Sequence, residues 1–571
     1  MASARTIYSM DYLITSIAVL AVLMLIFFIE YLNSRKNEKK IWDKICRQYG
    51  NCPDRKYEAG DIERIRKLYL RYMDSDSIDD ITANDIEFDD LFKRFNYSQS
   101  AAGSEYLYYR MRNPITDEKK RIEISNKADK FMENNEERLK LQLTCRKIGS
   151  IKRLSLFECI DYFEDIKVKF PIVDIIAIIV LIVSIAITFV NPEAGVLIMI
   201  AALCYNIISY YKERGKIDSY VAAFSYIVRF IKESNKLSEK DFPDLSEEIK
   251  TIKTYANKLK HFTRFSGLVI NHTNDTIGVG NPIEMLVDYL KMIFHLDIIF
   301  FYRMLSLLKT DVNDIESLYL CFGECELYSN IACIRASLPK YCIPQHSNTL
   351  CGTNMYHPLI ADPVKNSIKA DKGVLITGSN ASGKSTFLKT VAVNVCMAQT
   401  ICTCTADEFS LDDYSLFSSM SLRDDLGGGD SYFMVEIKAL KRIFDYMSQN
   451  PDKKVLCFVD EVLRGTNTIE RISAACRILK EFYDKGALCM AATHDGELTT
   501  LLEGIYDNYH FDETISENDV LFNYLLKTGR ATSRNAIKLL SIIGFDEKIV
   551  NAAVKQAENF EATGEWQLTD E

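Results

Sequence analysis

The stretch Gly373-Val-Leu-Ile-Thr-Gly378-Ser-Asn-Ala-Ser-Gly383-Lys384-Ser385-Thr386 decides how the C-terminal part of the chain is read. It satisfies G-x-x-x-x-G-K-[ST] in the setting that motif requires: the apolar run 374–377 predicts an entering strand, and 385–397 predicts a departing helix. Glycines let such a loop curl so that successive N–H groups face a phosphate, and the helix N-terminus adds a favourable dipole. Lys384 is then placed to reach the β- and γ-phosphates of a nucleotide, and the Ser385 hydroxyl to ligate Mg²⁺. The candidate ATP-binding segment is therefore Gly378, Ser379, Asn380, Ala381, Ser382, Gly383, Lys384, Ser385 and Thr386.

Two further strands point at the same site. Val455-Leu-Cys-Phe-Val459 reads as a strand buried on both faces and ends in Asp460-Glu461. A carboxylate at that strand end can hold Mg²⁺ through water, and the next one can orient and polarise an attacking water. Asp460 is accordingly the candidate metal residue beside Ser385, and Glu461 the candidate catalytic base. Ala487-Leu-Cys-Met-Ala-Ala-Thr493 delivers His494, a candidate γ-phosphate sensor. Between these, Arg423-Asp-Asp-Leu-Gly-Gly-Gly429-Asp430-Ser431 reads either as a plain loop or as an anion-binding turn ahead of a helix. From His357-Pro358 onward, short β-rich runs alternate with helices, the texture of a parallel sheet in an α/β domain.

The rest of the chain is helical in texture. Asp61 is positioned to cap a helix that carries Ile62, Ile65, Leu68, Tyr69 and Tyr72 on one face. Helical patterns fill 86–160 and 212–340. Three runs stand apart: 12–32, 172–190 and 194–211 are almost wholly apolar, and Asn191-Pro192-Glu193 separates the last two. A 19-residue helix is about 28 Å long, near the hydrocarbon thickness of a bilayer. The expectation is an N-terminal anchor and a membrane hairpin. The run 285–308 is apolar too, but it carries Asp288, Lys291, His295, Asp297 and Arg303 and reads as a packed soluble helix. Arg35, Lys36, Lys39 and Lys40 follow the first run, Lys167 and Lys169 precede the second, and Lys212, Arg214 and Lys216 follow the third. By the positive-inside rule the N-terminus lies outside the cell membrane and 33–171 and 212–571 lie in the cytoplasm.

The whole-chain numbers bound the function. Of 571 residues, 48% are hydrophobic and 26% charged, which excludes a wholly disordered chain. The net charge of −10 argues against coating nucleic acid through overall charge, but leaves room for a local basic groove. Sixteen cysteines scatter without a CxxC pair, so reduced, structural thiols are expected rather than a zinc site.

The C-terminal motifs resemble those of the MutS family of DNA-mismatch-repair ATPases, a branch of the ABC-type superfamily. ITGSNASGKSTFL (376–388), DDLGGGDSYFMVEI (424–437), DEVLRGTNT (460–468) and ATHDGELT (492–499) each resemble a family motif, with Leu463 where the family usually has Gly. FNYSQSAAGSEYLYYRMRNPI (95–115) is similar to the start of the family's helical core, and 525–553 to its C-terminal helices. The resemblance implies an ATPase with ATP and Mg²⁺ as cofactors and a homodimer with composite sites. Ser431 would touch the γ-phosphate held by the partner subunit, and Tyr524 would stack on adenine.

The expected fold is an α/β P-loop ATPase domain C-terminal to an all-α helical core, with three transmembrane helices. The expected boundaries are 1–35 anchor, 36–171 cytoplasmic helical region, 172–211 hairpin, 212–350 helical lever and 351–571 ATPase domain with a helical tail. The family's mismatch-reading N-terminal module is not expected here: Phe28-Ile-Glu30 matches its Phe-x-Glu wedge only inside the anchor. Three functions stay open. One is a membrane-tethered MutS-like protein acting on DNA. Another is a membrane ATPase that moves the hairpin or a protein partner without DNA. The third is an ABC transporter subunit, which the 47 positions from Lys384 to Ser431 disfavour, being too few for a transporter's intervening helical subdomain.

Overall fold

The computed structural model describes residues 24, 28, 29, 31–33, 35–151, 154–166, 172–264, 289–379, 382–420, 432–464, 466–515, 520–531, 537, 540, 543–566 and 568. Helices occupy the chain up to Ser337, and strands enter from Gln345 onward.

The helical part is organised around the 42-residue helix Leu296–Ser337, kinked at Asp311, where φ is −110° and ψ 16°. At 1.5 Å per residue it extends about 60 Å. Ala101–Arg112 packs against it so closely that a Cβ on Gly323 would lie 2.6 Å from the Cβ of Tyr106. The buried Glu326 carboxylate accepts the Ser100 N–H at 3.2 Å and the Ser100 hydroxyl, which fixes the start of Ala101–Arg112. At the other edge of the fold, Asp61 is the first residue of its helix and Gly60 takes the cap position, with φ 86°. The Asp61 carboxylate faces backward and accepts the Glu58 N–H at 2.9 Å.

Ile172–Val190 and Pro192–Lys236 form a hairpin. Asn191 caps the second helix by accepting the Ala194 N–H at 3.2 Å, and Pro192 follows at the first turn, where its missing N–H costs nothing. A Cβ on Gly195 would meet Thr188 Cα at 2.4 Å, so this glycine lets the two helices touch. The hairpin presents Ile179, Ile182, Val183, Ile185, Leu197 and Ile208 outward, an apolar surface no soluble neighbour covers among the described residues.

Of the three expected spanning runs, the structure describes the second and third. Among the described residues two helices are long and apolar enough to cross a membrane, Ile172–Val190 and Pro192–Gly215. The run 12–32 lies outside the described residues apart from Met24, Phe28, Ile29, Tyr31 and Leu32. The helix that carries the run 194–211 continues to Lys236 without a break. Of the polar residues in 285–308, Lys291, His295 and Asp297 are buried, and the last two face the base of the hairpin. His295 Nδ1 lies 2.6 Å from Asp174 Oδ1, and Asp297 accepts from the Tyr210 hydroxyl at 2.9 Å and from Arg214.

Two sheets follow. The first has four strands: β1 (Gln345–His346), β2 (Leu350–Met355), β3 (Asn366–Ala370) and β5 (Glu408–Leu411), in the order β1-β5-β2-β3. The second has six: β4 (Gly373–Thr377), β6 (Ser415–Ser419), β7 (Val455–Asp460), β8 (Leu488–Thr493), β9 (Tyr506–Ile515) and β10 (Val520–Thr528), in the order β10-β9-β4-β8-β7-β6. All its pairings are parallel except β9–β10. Its central strands are buried along their length, which is why they read as unbroken apolar runs.

The helix Lys384–Ile401 joins the two parts: it lies on the six-stranded sheet and its residues belong to one apolar core with Ala101–Arg112 and Leu296–Ser337. Arg335, fully buried near the end of the long helix, locks the junction. It donates to Cys402 O at 2.8 Å and Thr403 Oγ1 at 2.9 Å on one side, and pairs with Asp129 Oδ1 at 2.6 Å on the other.

Candidate nucleotide site

β4 lies in the interior of the sheet between β8 and β9, so the loop that leaves its C-terminal end stands beside the end of β8, with the end of β7 next beyond it. Gly378 has φ 150°, and a Cβ there would come within 2.9 Å of Phe511 O and Ser382 Oγ. Gly383 has φ 105° and precedes Lys384–Ile401 as its cap. Both positions require glycine, one for space and both for backbone angle. The Lys384 ammonium is buried and folds back to donate to Gly378 O at 2.9 Å and Ser379 O at 2.8 Å. It thereby stands inside its own loop, where a phosphate would sit.

β7 and β8 bring the acidic and imidazole groups to that loop. Ser385 Oγ donates to Asp460 Oδ2. Asp460 Oδ1 is buried and has no hydrogen-bond partner. Burial raises the Asp460 carboxyl above its usual range, and the Ser385 bond opposes this. A hydroxyl and an orphaned carboxylate oxygen side by side are hard donors that suit a Mg²⁺ ion, directly or through water. Register pairing of Asp460 with Ala492 sets β8's end beside β7's, and the Glu461 N–H donates to Ala492 O at 2.9 Å. Glu461 adopts a left-handed backbone, φ 53°. Its Oε1 lies 2.5 Å from His494 Nε2 and its Oε2 3.0 Å from Arg464 Nε. His494 Nε2 is in turn 3.4 Å from Lys384 Nζ. Lys384, Ser385, Asp460, Glu461 and His494 therefore meet at one point, contributed by three strand ends.

Several supporting residues escaped the sequence reading. Glu436, on the helix Tyr432–Gln449, is buried and accepts the backbone N–H groups of Leu463 and Arg464. Burial pushes its carboxyl above the usual range, and those two N–H bonds pull it back. Arg471, on Thr468–Asp484, grips Asp495 through two bonds of 2.9 and 2.6 Å and so steadies the turn that carries His494. Asn366 of β3 donates to Tyr524 O at 2.9 Å and accepts the Leu526 N–H at 2.8 Å, joining the two sheets across 158 and 160 positions. Only Glu436 had a local signal, its place in the quoted 424–437 segment.

A cleft of 480 Å³ opens beside Gly383 and Lys384. Tyr524 forms one wall, with φ 54° and its ring 3.2 Å from where a Gly383 Cβ would be. His357 also lines the cleft, and burial drives its imidazole down to about 4. Asn380, Ala381 and Ser431 lie outside the described residues, as does the rest of 421–431. Ser379, Ser382 and Thr386 take their places along the loop and first turn, Ser382 and Thr386 facing the cleft.

Residues 374–561 match the family model MutS domain V. The DNA mismatch repair protein MutS of Lactobacillus helveticus is 30% identical over 255 residues, 42% of this chain and 29% of that protein. MutS of Caldicellulosiruptor bescii is 35% identical over 186 residues, 32% of this chain and 21% of that one. The DNA mismatch repair protein MutS 2 of Halobacterium salinarum is 34% identical over 197 residues, 34% and 22% of the two chains. The chain thus spans between about a fifth and a third of the length of these relatives. The match covers the sheet and the strand ends that build the site.

Proposed function

We propose that this chain is an ATP-binding and ATP-hydrolysing MutS-like protein held in a membrane by its apolar hairpin. The observation that carries the ATPase reading is the convergence of Lys384, Ser385, Asp460, Glu461 and His494 at the end of β4. In this reading Lys384 exchanges its two carbonyl partners for β- and γ-phosphate oxygens. Ser385 and Asp460 would hold Mg²⁺, which when bound would supply positive charge beside the phosphates. Glu461 orients the attacking water and takes its proton, while His494 holds Glu461 in place and senses the γ-phosphate. Tyr524 offers its ring to the base. Ser431 reaches the γ-phosphate bound by a second copy, so the working unit is a homodimer.

The relatives' names support a role in recognising DNA, related to mismatch repair. The membrane reading rests on the outward apolar surface of the hairpin, with the N-terminus outside and the ATPase part cytoplasmic by the charge rule. A second reading, nucleotide-driven action on the hairpin or a protein partner without DNA, has its own support. The Leu296–Ser337 helix touches the hairpin base through Asp297 and the end of the P-loop helix through Arg335.

Glu461→Gln tests the catalytic assignment: ATP should remain bound while turnover stops, and unchanged hydrolysis refutes the base. Gel-shift titration of homoduplex, mismatched and branched DNA over a salt series decides between the readings, because phosphate neutralisation gives a steep salt slope. Absence of binding at low salt with ATP present excludes the DNA reading.

A further inference from the structure

Cys342 and Cys404 face each other across the junction between the helical part and the nucleotide-binding part. Cys342 lies in the connector 338–344 that follows Leu296–Ser337. Cys404 lies three residues past the end of Lys384–Ile401, the helix that begins at the phosphate loop. The two residues form an isolated antiparallel bridge, exchanging both backbone bonds: Cys342 N–H to Cys404 O at 3.0 Å and Cys404 N–H to Cys342 O at 2.9 Å. Residues paired this way have Cα atoms about 5.5 Å apart. That is the separation at which disulfides form without moving the backbone. Side chains opposed in this way stand on the same face, with Cβ atoms about 4.5–5.5 Å apart, and the Cys404 S–H donates to Asn394 O at 3.7 Å. All 16 cysteines are free thiols in this structure.

We propose that Cys342 and Cys404 are an oxidisable dithiol, a modification site whose disulfide ties the connector to the end of the phosphate-loop helix. The pair divides its tasks by environment. Cys342 is half-buried, so a small oxidant reaches it. The adjoining Cys404 side chain holds the Cys342 thiol below the ordinary thiol range, and burial holds Cys404 well above it. Cys342 is therefore the thiol that ionises first. A hydroperoxide is the co-reactant. The Cys342 thiolate attacks one peroxide oxygen, the O–O bond breaks, and the departing alkoxide or hydroxide takes a proton; sulfur is oxidised and oxygen reduced. The Cys404 sulfur then displaces hydroxide from the Cys342 sulfenic acid, the S–S bond forms, and the Cys404 proton leaves in water.

A second pair shows what the first has in addition. Cys457 and Cys489 are register partners on β7 and β8. Both are wholly buried inside the sheet, with no exposed sulfur for an oxidant to reach.

The disulfide would stand where Arg335 already joins Cys402 and Thr403 to the long helix, adding a covalent tie to a hydrogen-bonded joint. Its effect on turnover rests on the ATPase reading; its formation does not. The test uses the full chain in detergent or nanodiscs, treated with stoichiometric hydrogen peroxide. Peptide mapping should find the 342–404 cross-link, reversed by dithiothreitol and absent in Cys342→Ser. In Cys404→Ser, dimedone should trap a sulfenic acid at Cys342. Oxidation of the exposed Cys46 and Cys52 without a 342–404 cross-link overturns the proposal. Turnover should fall at least about fivefold in the oxidised protein and stay unchanged in peroxide-treated Cys342→Ser. Cross-linked protein with undiminished turnover refutes the tie as a restraint. Cross-linked protein whose reduced form also hydrolyses no ATP refutes the ATPase reading and leaves the dithiol standing.

Discussion

The buried carboxylate of Glu436 accepts the backbone N–H of Leu463, 27 residues further along the chain, and so ties the helix Tyr432–Gln449 to the turn that follows Asp460-Glu461. That turn is strained at two places, with φ 53° at Glu461 and 58° at Leu463, where side chains other than glycine are disfavoured. Glu436 is a positioning residue: it holds the backbone that aims Glu461. Removing its carboxylate takes the acceptor from the N–H groups of the buried Leu463 and of Arg464, at a cost of about 1–3 kcal/mol. Glu436→Ala should lower kcat by about 10–100-fold with KM for ATP within about twofold. Glu436→Gln, which keeps an accepting oxygen, should lose less. Steady-state kinetics on both variants check this, and an equal rise in KM would show that the loop itself had collapsed.

Asp460 and Ser385 share one hydrogen bond and leave Asp460 Oδ1 orphaned. Asp460→Asn replaces a hard anionic donor by a neutral amide. The Mg²⁺ concentration for half-maximal turnover should rise by about tenfold or more. Titration of turnover with Mg²⁺ at saturating ATP measures it, and an unshifted midpoint would remove Asp460 from the metal site.

His357 gives a pH dependence with a defined sign. Its folded value is lowered to about 4 by burial, against an ordinary imidazole near 6.5. Below about 6.5 the unfolded chain binds a proton that the folded chain refuses, so stability falls as pH drops from about 6.5 towards 4. The full loss approaches about 3 kcal/mol. His357→Gln removes this contribution. Denaturant unfolding at pH 7 and pH 5 should show a smaller difference for the variant than for the parent.

Cys204 lies exposed on the second hairpin helix, among Leu197, Ile200 and Ile208. If that helix crosses lipid, a membrane-impermeant maleimide should leave Cys204 unmodified in intact and in opened vesicles alike, and detergent should expose it. Cys46 and Cys52 should react once the cytoplasmic side is opened. Ready labelling of Cys204 in sealed vesicles would place the hairpin outside the bilayer.

Asp297 is buried at the base of the hairpin and accepts from Tyr210, Arg214 and the Ile298 N–H. Deleting one partner of a buried ion pair costs about 3–5 kcal/mol. Asp297→Ala should lower the midpoint of thermal unfolding in detergent, and Arg214→Ala, which leaves the more deeply buried Asp297 carboxylate uncompensated, should lower it at least as much. Equal midpoints for Asp297→Ala and the parent would show that the hairpin base is held by apolar packing alone.

How far the sequence reached depends on the distance over which each feature is decided. The phosphate loop, the buried strands ending at Asp460 and Thr493, and the apolar hairpin were all legible, because each is written in consecutive residues with its own period or spacing. The four-stranded sheet was not. Its strands are short, β1 spans only Gln345–His346, and its β2–β5 pairing brings Cys351 opposite Ser410. The polar residues of 285–308 marked a packed helix, but nothing in that run shows that His295 and Asp297 serve the hairpin base. The apolar run 194–211 does not show where its helix ends, at Lys236, since a change from apolar to charged residues ends a hydrophobic run without ending a helix.

By itself, then, the sequence determined the local chemistry: a glycine loop able to face phosphate, a lysine and a serine at a helix start, and acidic and imidazole groups at strand ends. Strand order, 4 beside 8 beside 7, decided that Lys384, Asp460, Glu461 and His494 meet. Tertiary structure alone paired Glu436 with Leu463, Asn366 with Tyr524, Arg335 with Cys402 and Cys342 with Cys404. The physical reason is that a backbone N–H or carbonyl carries no residue-specific signal. A side chain that seeks one can be matched to its partner only after the fold has brought the two segments together.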